Sequence, residues 1–307
     1  MTTKITMFDY NFDWVLKDYN VHPRSTPGTL SREQVVAFCG TLGLDGIEIR
    51  HDYWSDCSPF SVRQICRDAG LAIVTYLFDA DLALPKVDRQ SQMDRAFSLI
   101  DRTAELGAKR AFFVPALFKT QWTLEEQRGW LIESLHECAE RAHQAGVTLL
   151  SENIDYPPVR PFMGRGADCR SICAAVDSPG FRLIYDACAP LFVEEDSLET
   201  LRSMAPYVVH AHVKNSRPVG PGENPQRQLA SISGKLYTGT LLDGGSIQLR
   251  PILAELRRLG LCEHLLIEYQ GEEDPRTAAN YNLALLREML KEVRESASVT
   301  AKQGTLD

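Results

Sequence analysis

Short apolar runs rich in β-branched and aromatic residues alternate along the chain with longer amphipathic stretches. Candidate strands cover 5–8, 46–50, 72–78, 110–115, 147–152, 181–186, 208–213 and 264–269. Helical patterns lie between them. Ser31, followed by Glu33 and Gln34, opens one before AFCGTLGL, and Thr123, followed by Glu125 and Glu126, opens another that runs towards Ala145. Gly43, Gly70, Gly107, Gly146 and Gly260 each fall just before the next strand, where a helix end favours the left-handed conformation.

Repeated strand–helix units predict parallel strands, because a helical crossover returns the chain in the same direction. Continuous apolar strands such as AIVTYLF and LLIEY suit burial on both faces. Eight units in one chain predict a single (β/α)8 TIM barrel over residues 1–296. The competing architecture is a doubly wound open sheet. No G-x-G-x-x-G follows the first strand and no G-x-x-x-x-G-K-[ST] occurs, so nucleotide-binding readings fall away; Gly164-Arg165-Gly166 lacks the third glycine. Two segments break the pattern. Residues 216–240, rich in Pro and Gly, follow the seventh strand and are expected to form a long loop at the barrel mouth, as a lid or binding loop. Residues 297–307 are polar and without period, and are expected to be a disordered tail.

The chain has 307 residues, with 33 Lys+Arg against 41 Asp+Glu and a formal net charge of −8. Its 44% hydrophobic and 24% charged content is that of a globular protein with a sizeable core. The acidic balance without a basic run argues against nucleic acid and anionic membrane as partners, though one local Lys or Arg can still serve a small anionic substrate. No apolar run reaches the roughly 18–20 residues that span a bilayer, and the N-terminal stretch does not read as a signal peptide, so a cytoplasmic location is expected. None of the eight cysteines forms a C-x-x-C pair, which predicts reduced, mostly buried thiols rather than a zinc cluster.

In a barrel, chemistry sits at the C-terminal ends of the strands. The last four strands each offer one polar group there: Glu152, Asp186, His212 and Glu268. Any one of them alone reads as a helix cap, an ion-pair partner or a core histidine. Four adjacent strands aim them at one point, where three carboxylates would repel without a positive ion. A hard divalent cation such as Mn²⁺ or Mg²⁺ resolves that repulsion and leaves coordination positions for a substrate. His210, two residues before His212, is expected to lie deeper in a structural role.

The strings SENIDYP, LIYDACAPLF, VVHAHVKNSR and LLIEYQGEEDP resemble the sugar isomerase/epimerase family with the xylose isomerase-like TIM barrel. That family includes ketose 3-epimerases, hydroxypyruvate isomerase, inosose dehydratase and metal-dependent 3-dehydroshikimate dehydratase. The resemblance implies that Glu152, Asp186, His212 and Glu268 bind one divalent metal ion, with Mn²⁺ the first choice and Mg²⁺, Co²⁺ or Zn²⁺ the others. Gly46-Ile47-Glu48-Ile49-Arg50 matches the family's second strand. The sequence departs at Ala189, three residues after the strand-six Asp, where the family commonly has His or Asn. That weakens assignment to the ordinary ketose epimerases. With only seven histidines, a three-zinc, endonuclease IV-like site is also disfavoured.

The expected chemistry is isomerisation or epimerisation of a sugar, keto-sugar or polyol through proton abstraction and a metal-stabilised enediolate. Glu152 and Glu268 are the candidate base and acid, flanking the substrate as in the resembled epimerases. Lys214 is a candidate substrate-binding residue, with an ion pair to the clustered acids as its equal alternative. Arg217, Glu48 and His51 complete the substrate-binding candidates. Tyr76 and Asp79 are placed near the pocket, and Trp14, Trp54 and Trp122 offer apolar walls or core packing. A lyase on the same scaffold, dehydrating or β-eliminating a keto-sugar, keto-inositol or keto-glycoside, shares the first step and is the alternative. A non-catalytic sugar-binding subunit is the third reading. The partner is thus a small carbohydrate-like molecule, with a homo-oligomer left open.

Overall fold

The computed structural model describes residues 3–17, 28–115, 117–154 and 161–303, with side chains as far as 296. Strands β1 (Lys4–Phe8), β2 (Gly46–Arg50), β3 (Ala72–Asp79), β4 (Arg110–Val114), β5 (Thr148–Glu152), β6 (Phe181–Asp186) and β7 (Val208–Val213) stand side by side in parallel. After β8 (Asn215–Pro218), β9 (Leu229–Ala230) and β10 (Leu236–Thr240), strand β11 (His264–Ile267) inserts between β7 and β1 and closes the barrel. The (β/α)8 barrel expected from the strand–helix repeat is the observed fold.

Helices α1 (Arg32–Thr41), α2 (His51–Trp54), α3 (Pro59–Asp68), α4 (Gln90–Glu105), α5 (Leu124–Gln144), α6 (Gly166–Val176), α7 (Pro190–Val193), α8 (Ser197–Met204), α9 (Leu249–Arg258) and α10 (Pro275–Gln303) fill the connections. Both predicted N-termini are capping boxes, Ser31 with Gln34 and Thr123 with Glu126. The five glycines at helix ends take φ between 64° and 75°. Helix α10 carries on past 296 to Gln303, where the sequence pattern predicted a disordered tail. Residues 304–307 lie outside the described residues.

The segment 216–240 is likewise more ordered than its Pro and Gly content suggests. β8, β9 and β10 make a small antiparallel sheet in the order β8-β10-β9, with Arg217 opposite Thr238 and Leu229 opposite Tyr237. Nonlocal pairing supplies what local propensity lacks, and the segment between β8 and β9 is carried over the barrel mouth.

Strand alternation sorts the barrel residues. Ile47 and Ile49, Leu183 and Tyr185, and Ala211 and Val213 join the outer core under the helices. The alternate positions point inward. Phe8, Leu77, Phe112, Leu150, Ile184 and Leu266 form a separate interior apolar cluster. Below it runs a polar belt. Glu48, 1% exposed, accepts from Thr6 Oγ1 at 2.9 Å and from Thr75 Oγ1, and lies 2.7 Å from His210 Nε2. Burial alone would lift the Glu48 carboxyl, but His210 and the hydroxyls hold it at about 2. The deeper, structural place expected for His210 is where it lies. All eight cysteines are free, and six are buried.

The 3₁₀ segment Asp9–Val15 ties β1 to the α2 region. Asp9 accepts from Trp54 Nε1 at 2.9 Å and from the Arg50 backbone N–H at 3.2 Å. Burial outweighs these donors and lifts its carboxyl from 3.8 to about 7. The folded chain therefore keeps a proton that the unfolded chain releases near 3.8, and stability falls as pH rises from about 4 to about 7. Asp9→Asn is expected to remove that fall, on the order of 4 kcal/mol. Denaturant unfolding at several pH values across this window checks it; an unchanged slope in the variant would refute it.

Candidate metal centre

β5, β6, β7 and β11 are consecutive in the barrel, so their C-terminal ends face one another. Asp186 pairs with His212 across β6 and β7, and Glu268 directly follows β11. Glu152, Asp186, His212 and Glu268 are 5%, 1%, 1% and 6% exposed, and each offers a ligand atom within 4.8 Å of the others. The four sequence-predicted ligands thus lie together.

Two asparagine amides fix the strand ends. Asn153 accepts from the Asp186 N–H at 2.7 Å and donates to the Asp186 carbonyl at 3.0 Å. Asn11 donates to the Ile267 carbonyl at 2.8 Å and accepts from the Tyr269 N–H at 2.9 Å, clamping the backbone on both sides of Glu268. Asp186 Oδ1 accepts from the N–H groups of Cys188 and Ala189 at 2.7 and 2.9 Å, which leaves Oδ2 facing the centre. At Ala189, then, the backbone contributes to the site although the side chain does not. Phe112 packs edge-on against His212 at 5.6 Å.

His212 Nδ1 stands 3.0 Å from Glu152 Oε2 and 3.4 Å from Glu268 Oε2, yet neither Nδ1 nor Glu152 Oε2 makes an aligned hydrogen bond. Atoms that crowd one point without bonding to each other are arranged for a common third partner. Lys214 Nζ lies 2.7 Å from Asp186 Oδ2 and 3.2 Å from Glu268 Oε1, so the ion-pair alternative for Lys214 is the observed one. Gln270 donates to Glu268 Oε1 at 2.7 Å. Three carboxylates against one lysine leave two negative charges, which a divalent cation would cancel. With three oxygen donors and one imidazole, the residues fit a hard divalent ion.

The ionisable groups respond to one another. Burial lifts the Glu152 carboxyl, with His212 opposing. Burial would lift Glu268 too, but Lys214 and His212 outweigh it and hold it at about 2. Burial would lower His212, but the two glutamates carry it up to about 10. A protonated imidazole takes up some of the charge that a cation would otherwise neutralise.

A cavity of about 370 Å³ opens above this cluster. Of the four converging residues, Glu152 and Glu268 line it, whereas Asp186 and His212 lie behind them. Phe8, Tyr10, Leu77, Phe112, Val114 and Ile154 form an apolar wall, and Gln226, Arg227 and Gln228, from the segment between β8 and β9, line the cavity together with Leu229 of β9. Arg50 and Asp79 meet at the wall, 2.9 Å apart.

The remaining candidates go elsewhere. Glu48 belongs to the polar belt beneath. His51 Nδ1 lies 2.6 Å from Tyr76 Oη, and that hydroxyl also accepts from Arg102, so neither lines the cavity. Arg217 turns to Glu223 at 2.7 Å on the outer side of β8. Trp54 is buried against Asp9, Trp122 packs edge-on with Trp130, and Trp14 lies under the Arg227 guanidinium. Sequence reasoning missed Asn11, Asn153, Gln270, Tyr10 and Arg227. Asn153 and Gln270 sit one and two residues from predicted ligands and could have been found; Arg227 lies in a loop with no local signal.

The family model described as xylose isomerase-like TIM barrel matches residues 36–289. The chain belongs to the xylose isomerase-like TIM barrel family. No curated protein matches it. Among solved structures, an L-ribulose 3-epimerase is similar over 97% of this chain and 98% of its own, with 17% identity and a TM-score of 0.74. A probable 3-DHS dehydratase from Bacillus anthracis is similar over 92% and 98%, with 14% identity and a TM-score of 0.71. A xylose isomerase-like TIM barrel protein from Mycobacterium smegmatis, in complex with magnesium, is similar over 95% and 98%, with 18% identity and a TM-score of 0.68. At these identities the likeness is one of fold.

Asp186→Ala and His212→Ala are each expected to abolish stoichiometric Mn²⁺ binding. Asn11→Ala, which loosens the Glu268 backbone, is expected to weaken it by about 10–100-fold. Titration calorimetry and elemental analysis check both; undiminished binding in Asp186→Ala would remove Asp186 from the site.

Proposed function

We propose that this chain is a divalent-metal-dependent isomerase or epimerase of a sugar, keto-sugar or polyol. One observation carries the reading: four chelating side chains converge at consecutive strand ends, and only the two glutamates among them face the cavity. Glu152, Asp186, His212 and Glu268 would hold the ion. When bound, it supplies a Lewis acid that polarises a substrate carbonyl. Solved neighbours named as an L-ribulose 3-epimerase and as a D-psicose 3-epimerase with D-tagatose support the substrate class, and the magnesium complex supports the ion.

The proton steps belong to this chain's own carboxylates. A carbon acid next to a carbonyl is far too weak for an isolated carboxylate, so the base must be held against the substrate and shielded from water. Glu152 and Glu268 stand at the cavity floor on β5 and after β11, with β6 and β7 between them. One takes the proton, and the other returns one from the opposite side. Lys214 and Gln270 on Glu268 Oε1 hold that carboxylate in orientation. Asp186 and His212, behind the glutamates, position rather than react.

A lyase outcome shares every step up to the enediolate. Ala189 favours keeping it as the second reading, because the position carries no polar side chain to hydrogen-bond a retained hydroxyl. The neighbour named as a 3-DHS dehydratase supports it too. Product chemistry separates the two: deuterium taken from solvent without mass loss marks isomerisation, and loss of water or an aglycone marks elimination.

Glu152→Gln and Glu268→Gln are each expected to lower turnover by at least about 10²–10⁴-fold, with near-normal folding by circular dichroism. Wild-type rates in either variant would remove that residue from proton transfer.

A further inference from the structure

One lysine is built into the carboxylate cluster itself. Lys214 Nζ lies 2.7 Å from Asp186 Oδ2 and 3.2 Å from Glu268 Oε1, oxygens of two of the groups that would hold the ion. Among the described residues no arginine pairs with Glu152, Asp186 or Glu268. The Lys214 side chain is 9% exposed and is not part of the lining of the main cavity. It lines instead a side space of about 30 Å³, with Ser216, Tyr237, Gly239 and Gln270. The ammonium therefore acts on the carboxylates rather than on what enters the cavity.

The backbone that carries Lys214 is fixed. The residue stands between Val213, the last of β7, and Asn215, the first of β8. The Asn215 amide donates to the carbonyls of Leu242 and Ile247 at 2.8 and 3.0 Å, and accepts from the Ile247 N–H at 2.9 Å. Gly245 packs so close to this amide that a Cβ there would lie 2.0 Å from Asn215 Oδ1. A buried ammonium rooted in such a frame keeps its carboxylate partners, because leaving any of the three charges unmatched is costly.

Charge decides what else the cluster accepts. Glu152, Asp186 and Glu268 bring three negative charges, a neutral His212 brings none, and Lys214 cancels one. A divalent ion then takes the centre to zero. A trivalent ion would leave a positive charge unmatched in a buried site, which is unfavourable. Without Lys214 the balance would suit the trivalent ion instead.

We propose that Lys214 sets the valence of the ion this centre accepts, matching it to a divalent cation and against a trivalent one. The inference rests on the metal-binding reading proposed for the same site. Coulomb energy scales with the charge of the ion, so loss of the ammonium strengthens the hold on a trivalent ion more than on a divalent one. A lysine that merely shaped the ligands would leave the valence preference where it is.

The test uses the full chain with Mn²⁺ and Tb³⁺ as probes, in wild type, Lys214→Met and Lys214→Arg. Each protein is purified with Mn²⁺ present and then stripped by chelator. Calorimetry reads the Kd for Mn²⁺, and competition followed by terbium luminescence reads that for Tb³⁺. Lys214→Met is expected to bind Mn²⁺ at least about tenfold more tightly and Tb³⁺ at least about thirtyfold, the second factor being the first raised to the ratio of the charges. Lys214→Arg keeps the charge and is expected to keep the ratio of the two Kd values near that of wild type. Should Lys214→Met not fold, Lys214→Gln takes its place with the same expectation. Mn²⁺ bound no more tightly by the neutral variant, or both ions tightened by one common factor, would overturn the inference. A Kd ratio shifted in Lys214→Arg at least about tenfold from wild type would overturn it independently. No binding of either ion by wild type would sink the proposed function itself, and this inference with it.

Discussion

Three buried carboxylates facing one another are the constraint around which this structure is arranged. Two unit charges about 4 Å apart repel by about 4 kcal/mol even at an effective dielectric of 20, and Glu152, Asp186 and Glu268 offer oxygens within 4.8 Å of one another. The barrel answers in layers. Backbone N–H groups take Asp186 Oδ1, Lys214 bridges Asp186 and Glu268, and His212 turns Nδ1 towards both glutamates. With His212 neutral, as an imidazole that holds a metal must be, these leave two negative charges and a set of unbonded polar atoms. A divalent ion fits both the charge and the chemistry of the donors.

The rest of the interior keeps that cluster in place. Asn11 and Asn153 lock the chain next to Glu268 and Asp186 through paired backbone hydrogen bonds, so the carboxylates do not depend on their own rotamers alone. The belt of Glu48, Thr6, Thr75 and His210 lies beneath, and Phe112 braces the His212 ring. A wall of apolar side chains faces the glutamates across the cavity. Such a wall excludes water and strengthens every polar contact inside. Arg227, from the far side of the chain, completes the enclosure by stacking on Trp14.

Membership of the family establishes the scaffold, and it leaves the outcome of the chemistry open. Epimerisation and elimination begin with the same proton leaving the same kind of carbon. They part only at the fate of the enediolate, which depends on what lies around the substrate. Arg227, Asp79 and Gln270, which line the cavity beside the two glutamates, come from three different parts of the chain.

The alternation of strands with helices, the two capping boxes and the glycines at helix ends were all legible in the sequence, because each depends on residues a few positions apart. So was the convergence of Glu152, Asp186, His212 and Glu268, because a barrel turns a strand's last polar residue into an address. The sequence did not place Glu48, His51 or Arg217, which the pattern set near the substrate. Glu48 lies in β2 and His51 opens α2, and which way each faces depends on partners up to 162 residues away, His210 among them. Arg217 was settled by the pairing of β8 with β10, a nonlocal choice that turned it to Glu223. Arg227 and Asp13 lie 214 residues apart, and no local rule joins them. Local propensity determined the elements and their order; only closure of the barrel decided which charges would meet.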